Sequence, residues 1–288
     1  VVRNDEIVFE KGYGFADVAG RKPMDPVNTL IRPGSISKLF TWTAVMQLVE
    51  EGKLDLDADV NRYLDFKITP PSGRAITMND LMTHRGGFEE GLKDVLATDP
   101  KLLKSNTAYL KENQRPIIFP AGGIPAYSNY GTSLAGYIVE RVSGQKYDYY
   151  IEQHILAPLA MRHTTTRQPL PAGFAPNMSK GYMSSDQAPR PFELITTAPA
   201  GSVSATGADM ANFMIAHLQA GRFGDTQILR PETAAMMHRP EGAPRAGFDA
   251  MAHGFFWGHR NDRLVIGHGG DTAIFHTDMN LLPEQNVG

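Results

Sequence analysis

A run of mostly apolar residues spans positions 39–49 of this chain. These residues are apolar around the whole circumference of a helix rather than along one stripe, which predicts a central helix buried on most sides. Pro33 and Gly34 cannot continue the helix backwards, and Gly52 stands where a left-handed residue commonly ends one. The pattern therefore predicts a buried central helix preceded by a short turn.

Most of the other predicted helices lie in the middle of the chain. Helical spacing or capping residues indicate helices at residues 77–84, 130–142, 147–155 and 208–220, and a short one from residue 231. Residues 89–115 have a helical but polar pattern broken by Pro100, which predicts an excursion on the outside. Residues 166–200 contain six prolines and no clear period, so we expect a long ordered loop that forms part of a binding cleft.

The strand patterns lie at the two ends. Residues 1–14 predict a β-hairpin that turns at Asn4-Asp5, and strands follow at residues 255–257, 263–268 and 273–282. Because sheet edges need partners, we expect the first and last strands to pair in one antiparallel sheet, with the helical region inserted between them. Both ends look trimmed, which indicates an internal fragment of a longer protein.

This order predicts an α/β (α+β) fold, an antiparallel β-sheet flanked by helices with an inserted, mainly helical lobe. Residues 1–62 and 196–288 are predicted to form the sheet lobe, and residues 63–195 the helical lobe.

Composition narrows the possible functions. Of the 288 residues, 42% are hydrophobic and 20% are charged, with a net charge of only −3. No basic run stands out, which argues against a nucleic-acid partner or an anionic membrane surface. The chain has no cysteine, which excludes disulfides, thiolate catalysis and cysteine-bound metal. The histidines are scattered, so we expect no metal and no cofactor.

The residues before the central helix can carry nucleophilic chemistry. In Pro33-Gly34-Ser35-Ile36-Ser37-Lys38, the serine falls at the predicted helix start and Lys38 follows three residues later, on the same face. A serine hydroxyl needs a neighbouring base, and a lysine serves only when burial or nearby positive charge lowers its pKa. Helix N-terminal N–H groups also stabilise negative charge developing beside the serine.

Two more elements follow in order, and the three together carry a family resemblance. They are Ser35-x-x-Lys38, Tyr127-Ser128-Asn129 and His268-Gly269-Gly270. With Gly12-Tyr13-Gly14-Phe15-Ala16-Asp17 before them and Leu81-Met82-Thr83-His84 between, the chain resembles the serine hydrolases related to class C β-lactamases, across essentially its whole length. That group of penicillin-recognising serine hydrolases also includes DD-peptidases, D-aminopeptidases and family VIII esterases, and it implies a β-lactamase/transpeptidase-like fold.

The resemblance implies a role for each motif residue. Ser35 attacks an acyl carbon and forms an acyl-enzyme, while Lys38 and Tyr127 share the general-base work. Either the ammonium favours a phenolate-like Tyr127, or Tyr127 relays the proton to a neutral lysine, and the sequence leaves both open. Asn129 holds Lys38 and hydrogen-bonds a substrate amide.

The third motif is implied to line the substrate. Gly269 and Gly270, after His268, let an edge strand lie close against the substrate backbone, and the N–H groups of Ser35 and Asp271 form the oxyanion hole. A second His-x-Gly at His84 precedes the tyrosine motif and ends a helix, so we expect it to be structural.

Two departures from the family pattern bear on the substrate. His268-Gly269 stands where class C β-lactamases have Lys-Thr, which removes a permanent positive charge and a hydroxyl that grip a substrate carboxylate. Arg85-Gly86-Gly87 stands where Thr-Ser-Gly is usual. Asn129 favours an amide substrate, whereas the missing Lys-Thr-Gly and the nearby aromatic residues can suit an ester. We expect these aromatic residues in the sheet core rather than in the pocket. They are Phe255, Phe256, Trp257 and Phe275.

The sequence thus predicts a serine hydrolase for a small ester or amide, such as a β-lactam, a D-amino-acid peptide or a carboxylic ester. The rival is a penicillin-binding or peptidoglycan-sensing domain that acylates slowly or not at all. We expect a small-molecule or peptide substrate, no nucleic acid, and a periplasmic or secreted location. Membrane attachment is expected only through segments outside this fragment.

Overall fold

The computed structural model describes residues 1–91, 93, 95–241 and 249–288. Its α-helices are α1 Ser37–Glu50, α2 Met78–Met82, α3 Asn106–Glu112, α4 Asn129–Ser143, α5 Tyr147–Ile151, α6 Ala198–Gly201, α7 Gly207–Leu218 and α8 Pro231–Met237. Its strands are β1 Val2–Arg3, β2 Glu6–Ile7, β3 Phe15–Asp17, β4 Lys22–Pro23, β5 Leu96–Ala97, β6 Leu194–Ile195, β7 Arg222–Phe223, β8 Thr226–Gln227, β9 Ala250–Met251, β10 Phe256–Arg260, β11 Arg263–Asp271 and β12 His276–Leu281.

Helix α1 is the predicted central helix. Its side chains are buried almost all round, and Trp42 and Phe40 have no exposed surface. Phe40 stacks on Phe213 of α7 with ring centroids 4.3 Å apart, and α1 also packs against α4. Gly52 has φ +66° just after the helix, as the sequence predicts. A helix apolar on every side is therefore enclosed on every side.

The main sheet has four antiparallel strands in the order β12-β11-β10-β9. The chain ends meet beside it, because the Val2 N–H donates to the Gly288 carbonyl at 2.8 Å and Arg3 pairs antiparallel with Val287. The prediction that the first and last strands pair in one sheet is wrong in detail, because β1 pairs with β2 in a separate two-stranded sheet and an isolated bridge joins it to Val287, after β12. The antiparallel sheet with surrounding helices is the predicted fold class.

Capping residues set the boundaries of the helices that carry the motifs. Thr77 begins α2 with a capping box to Asp80, and Ser128 begins α4 by accepting from the Gly131 N–H. Gly144 ends α4 in the left-handed conformation. Both predicted helices are confirmed, although α2 ends at Met82, before the expected glycines.

The prediction of a polar helical excursion over residues 89–115 is wrong in its first half. Leu96–Ala97 forms β5 and pairs with β6, with Leu96 opposite Ile195. A helix follows only at α3, after a 3₁₀ turn at Pro100–Leu102. Strand pairing between segments so far apart in the chain leaves no local signal, because each strand is only two residues long.

One apolar core runs through both predicted lobes, since residues from α1, α4 and β11 belong to the same buried cluster. The lobe boundaries therefore stay a prediction. No helix in the part of the chain that the structure describes is long and apolar enough to cross a membrane.

His217 of α7, which is buried, and His238 at the end of α8, which is half-buried, contact each other. His217 Nδ1 lies 3.0 Å from His238 Nε2, and both rings contact Phe255 edge-on. Burial lowers the pKa of His238 to about 4 and holds that of His217 well below its ordinary value. Both rings are therefore neutral near pH 7, and protonation in acid opposes folding.

Candidate active site

Ser35 lies in a single 3₁₀ turn, Gly34–Ile36, directly before α1. The sequence prediction placed it at the helix start; the α-helix itself begins two residues later, at Ser37. Gly34 adopts φ +53°, a conformation that favours glycine, and this turns the half-buried Ser35 toward the end of the helix. The serine thus lies in line with the N-terminus of α1.

Lys38 is fully buried in the first turn of α1, on the same face as Ser35. Its Nζ donates to Ser35 Oγ at 3.0 Å, to Asn129 Oδ1 at 2.7 Å and to the Ala200 carbonyl at 2.9 Å. Burial lowers the pKa of Lys38 to about 7, and the charge of Glu90 opposes that change. A substantial fraction of Lys38 is therefore neutral near pH 7.

Tyr127 covers the same lysine. Lys38 Nζ lies 4.7 Å from the centroid of the Tyr127 ring. Burial raises the pKa of Tyr127 well above its ordinary value, and a hydrogen bond with Ser35 offsets only part of that rise. The side chain is thus a phenol, not a phenolate, at neutral pH.

Asn129, the first residue of α4, bridges Lys38 and the loop after α2. While its Oδ1 accepts from Lys38, its Nδ2 donates to Glu90 Oε1 at 3.2 Å and its backbone N–H donates to Glu90 Oε2 at 2.7 Å. An amide nitrogen carries two hydrogens, so one N–H of Asn129 is left for a substrate carbonyl.

The third motif lies on β11, next to the serine turn. Residues 268–271 pair with β12 on one side, and no strand among the described residues pairs with their other side. Gly270 lies so close to this turn that a Cβ on it would be 1.9 Å from the Pro33 carbonyl oxygen. The Thr277 hydroxyl donates to that same oxygen at 3.0 Å. Glycine at position 270 thus allows β11 to contact the turn that holds Ser35.

His268 is a buried, neutral member of this motif. Its Nδ1 contacts the carbonyl of Gly269, which puts the ring proton on Nδ1 and a lone pair on Nε2. Burial and then the charge of Lys38 lower the pKa of His268 to about 4. The motif therefore contributes no positive charge near pH 7.

A cleft of about 340 Å³ opens at Ser35. Its polar rim includes Ser35, Asn129 and Asp271, and Leu96 and Ile195 from the β5–β6 pair form an apolar wall. The remaining lining residues are Gly34, Val95, Thr197, Ala200, Gly201, Thr272 and Ala273. Three lining residues, Ile195, Thr197 and Ala200, come from the predicted loop at residues 166–200. That loop therefore borders the cleft as predicted, but only with its last residues.

Not every predicted site residue lines this cleft. His268 and Gly269 instead line a larger cavity of about 600 Å³ on the sheet face, together with Phe256 and Trp257, and this cavity does not include Ser35. Phe255 is core, as expected, whereas Phe256 is 44% exposed and packs on His268 with ring centroids 5.0 Å apart. The expectation that all four aromatics belong to the core is therefore confirmed only for Phe255, because Phe256 is exposed and Trp257 and Phe275 are half-buried.

The sequence missed several contributors to the site. Glu90 accepts a hydrogen bond from the Asn129 N–H but belongs to no recognisable sequence motif. The Ala200 carbonyl accepts from Lys38, and a backbone atom leaves no signal in the sequence. His84 was expected to be structural, but its ring packs against Tyr127 with centroids 4.4 Å apart. Its place in the motif Leu81-Met82-Thr83-His84 was the available signal.

The unusual Arg85-Gly86-Gly87 segment has a steric explanation at its last residue. Gly87 has φ +77°, and a Cβ there would be 2.1 Å from the Phe119 carbonyl oxygen. Its own carbonyl accepts from the Ile118 N–H at 2.8 Å. Gly87 thus joins this loop to residues 117–119.

The arrangement has the parts of a nucleophilic site. The Ser35 hydroxyl contacts the buried Lys38 amine, whose pKa is lowered, and the Tyr127 phenol covers that amine. The Asn129 side-chain amide accepts a hydrogen bond from the same amine. Such a set can deprotonate the hydroxyl and return the proton to a leaving group.

Comparison with known proteins gives a consistent picture. The model of the family described as Beta-lactamase matches residues 1–288. Over 177 residues the chain is 33% identical to the putative penicillin-binding protein PbpX of Bacillus subtilis (strain 168), covering 60% of this chain and 43% of that protein. It is 27% identical over 302 aligned positions to protein flp of Staphylococcus aureus (strain N315), covering 100% of this chain and 57% of flp. The chain spans about half the length of these curated relatives.

Two solved structures share the fold at 24% sequence identity. The octameric penicillin-binding protein homologue from Pyrococcus abyssi superposes with a TM-score of 0.81, covering 99% of this chain and 66% of that one. The penicillin-binding protein from Bacillus halodurans gives a TM-score of 0.80, with 99% and 86% covered.

Proposed function

Because this chain belongs to the Beta-lactamase family, we propose that it is a serine hydrolase that cleaves a small ester or amide through an acyl-enzyme on Ser35. One observation carries the proposal. The Nζ of Lys38, buried and with its pKa lowered to about 7, lies 3.0 Å from the Oγ of Ser35, which lines a cleft of about 340 Å³. A lysine with a lowered pKa beside a serine hydroxyl in a cleft is the arrangement that a nucleophilic serine needs.

We assign the base role to Lys38. Neutral Lys38 has a lone pair that accepts the Ser35 proton, while its two N–H groups donate to Asn129 and to the Ala200 carbonyl. The raised pKa of Tyr127 makes a phenolate base unfavourable. Of the two alternatives that the sequence left open, the geometry therefore favours a neutral lysine over a phenolate tyrosine.

In acylation, the Ser35 oxygen attacks the acyl carbon as its proton passes to Lys38. The substrate oxygen becomes negative, and the N–H groups of Ser35 and Asp271 are proposed to stabilise it. Tyr127 then donates its proton to the leaving group and regains one from the Lys38 ammonium, as the bond from the acyl carbon to the leaving group breaks. Asn129 keeps Lys38 in place throughout.

Deacylation repeats these steps with water. A water molecule attacks the acyl carbon and gives a proton to the Lys38–Tyr127 pair, and the Ser35 oxygen leaves with that proton. The net result is the addition of one water across the ester or amide bond, and the enzyme returns to its starting state.

The cleft supports a substrate with an uncharged acyl group. Leu96 and Ile195 give it an apolar wall, and Tyr127, the proposed proton donor to the leaving group, does not line it. The acyl side thus lies in the cleft and the leaving group lies toward Tyr127. His268 is neutral near pH 7, so nothing in the third motif replaces the lysine charge that grips a carboxylate in class C β-lactamases. We therefore expect esters or simple amides to turn over faster than penicillins.

A second candidate function is a penicillin-binding domain that acylates but hardly deacylates. Its support is the names of the relatives and neighbours, which include penicillin-binding proteins. A periplasmic or secreted location fits either function and remains part of the proposal, as does a small-molecule or peptide substrate.

Intact-protein mass spectrometry tests both candidates. The protein is exposed briefly to a penicillin or a p-nitrophenyl ester, and the mass of the protein and the loss of each compound are followed together. Turnover that disappears in Ser35→Ala supports the hydrolase, whereas a long-lived adduct on Ser35 without turnover supports the binding domain. If the unmodified protein gives neither an adduct nor turnover, the proposed function is wrong.

The pH dependence of turnover is a further prediction. Because Lys38 must be neutral to accept the Ser35 proton, kcat/KM for a p-nitrophenyl ester should rise with pH and level off above an apparent pKa of about 7. Below that value the rate should fall roughly tenfold per pH unit, and the raised pKa of Tyr127 predicts no decline up to about pH 10.

Circular dichroism at each pH is the control, because protonation of the His217–His238 pair can unfold the protein in acid. A profile that is flat between about pH 6 and pH 8 while the fold is intact contradicts the assignment of Lys38 as the base.

A further inference from the structure

His84 lies behind the proposed catalytic tyrosine, just after the end of α2. It is 3% exposed, and its ring packs on that of Tyr127 with centroids 4.4 Å apart at 35°. The side chain does not line the cleft at Ser35. His84 therefore contacts a residue of the proposed site while staying out of reach of a substrate.

Three consecutive residues are tied to this one histidine. The Ala126 N–H donates to the His84 carbonyl at 2.7 Å, Tyr127 packs on the ring, and the Ser128 N–H donates to His84 Nδ1 at 3.1 Å. Ser128 is the residue that caps α4. The position and direction of the segment that delivers Tyr127 and Asn129 thus depend on His84.

The backbone conformation of His84 depends on its contacts with the segment that carries Tyr127. Its φ is +55°, a left-handed conformation that is uncommon for residues other than glycine but that histidine, like asparagine and aspartate, adopts more often than most. This conformation persists where the surroundings hold it. Here the bonds from Ala126 and Ser128 hold it.

The protonation state of the ring follows from its hydrogen bond. Because Nδ1 accepts from the Ser128 N–H, the ring proton sits on Nε2, and that atom is buried with no hydrogen-bond partner among the residues that the structure describes. Burial, followed by the charge of Lys38, holds the pKa of His84 well below its ordinary value. A neutral ring is the only form that can accept the bond from Ser128.

We propose that His84 is a positioning residue for acyl transfer, which holds the Tyr127 ring over Lys38 and fixes Ser128 at the start of α4. It neither contacts the substrate nor transfers a proton. This inference rests on the proposed function, because the position of the Tyr127 side chain affects catalysis only if Ser35 is acylated. The second His-x-Gly is therefore part of the site's support and not an unrelated helix end.

Two variants separate the two contacts of the side chain. His84→Asn keeps an acceptor at the position of Nδ1 and tolerates the left-handed backbone, but it removes the ring. His84→Phe keeps a ring against Tyr127 and removes the acceptor, which leaves the Ser128 N–H buried and unpaired. His154→Phe is the matched control, since His154 stacks on Tyr150 at 4.3 Å, far from Ser35 along the chain and outside the cleft.

The test is the burst and steady-state hydrolysis of a p-nitrophenyl ester as a function of pH, with the melting temperature of each variant. His84→Phe should lower kcat about 100-fold, because a displacement of about 1 Å in a catalytic group has an effect of that size. Its KM should change little, and the apparent pKa of its pH–rate profile should differ from that of the unmodified protein.

The kcat of His84→Asn should be at least about tenfold higher than that of His84→Phe. His154→Phe should change neither kcat nor the pH profile.

Each other outcome decides against the proposal. If His84→Phe loses activity only in proportion to its folded fraction, with the pH profile unchanged, His84 is merely structural. If His84→Asn is no better than His84→Phe, the bond from Ser128 is not the link. If the unmodified protein shows neither a burst nor turnover that depends on Ser35, the proposed function itself has failed, and the positioning role fails with it.

Discussion

Replacing Lys38 by methionine is expected to lower kcat/KM for a p-nitrophenyl ester by about 10³-fold or more, near the upper range for loss of a general base. Methionine is similar in length but has no lone pair that can accept the Ser35 proton at neutral pH. It also leaves two acceptors, Asn129 Oδ1 and the Ala200 carbonyl, without the amine that now pairs with them. Initial rates of ester cleavage at pH 8 measure the loss.

The fold should survive this substitution, because removing a buried amine also removes the cost of desolvating it. The melting temperature and circular dichroism spectrum check that point. Lys38→Arg is the matched control, since arginine keeps the positive charge but does not lose its proton in a protein. It should be nearly as inactive as Lys38→Met. If Lys38→Arg retains a tenth or more of the activity, the lysine acts through its charge and not as a base.

The Gly270→Ala variant should lose both stability and activity, although it adds only a methyl group. The new Cβ would be 1.9 Å from the Pro33 carbonyl oxygen and 2.7 Å from Thr277 Oγ1, so β11 must move away from the serine turn. We expect a loss of about 2 kcal/mol or more in the free energy of unfolding, as for an overpacked core. A shift of about 1 Å between Ser35 and Asp271 should lower kcat about 100-fold.

The neighbouring glycine provides the control for this prediction. At Gly269 the closest atom to an added Cβ is the Thr277 carbonyl oxygen at 4.0 Å, which is ordinary contact. Gly269→Ala should therefore keep its melting temperature and most of its ester hydrolysis. Equal losses in the two variants would show that glycine flexibility along β11, and not the contact with Pro33, is what matters. Urea unfolding and steady-state kinetics on both variants distinguish these results.

Local sequence patterns predicted the parts of the fold that local forces determine. The apolar circumference of α1, the cap at Thr77 and the left-handed Gly144 each depend on residues within one or two turns. For the same reason the distance between Ser35 and Lys38 could be expected from a spacing of three residues. These features follow from backbone geometry and require no knowledge of distant contacts.

Other features of the site were not predictable because distant segments create them. The apolar cleft wall forms only when Leu96 pairs with Ile195, and neither two-residue strand has a recognisable pattern. The lowered pKa of Lys38 follows from its burial, which several elements produce together. Glu90 acts through Asn129, and only the folded chain brings the two together.

The same dependence on distant segments affects how the protein reaches its native state. Lys38 contacts Asn129 and Ala200, which are 91 and 162 positions away, and Thr277 contacts Pro33 across 244 positions. Closing loops of this length costs entropy before any contact forms, which slows folding. In refolding from urea, secondary structure should therefore return before hydrolytic activity does. Recovered activity would then report that nearly the whole chain has assembled, and a partly folded chain would not be counted as active.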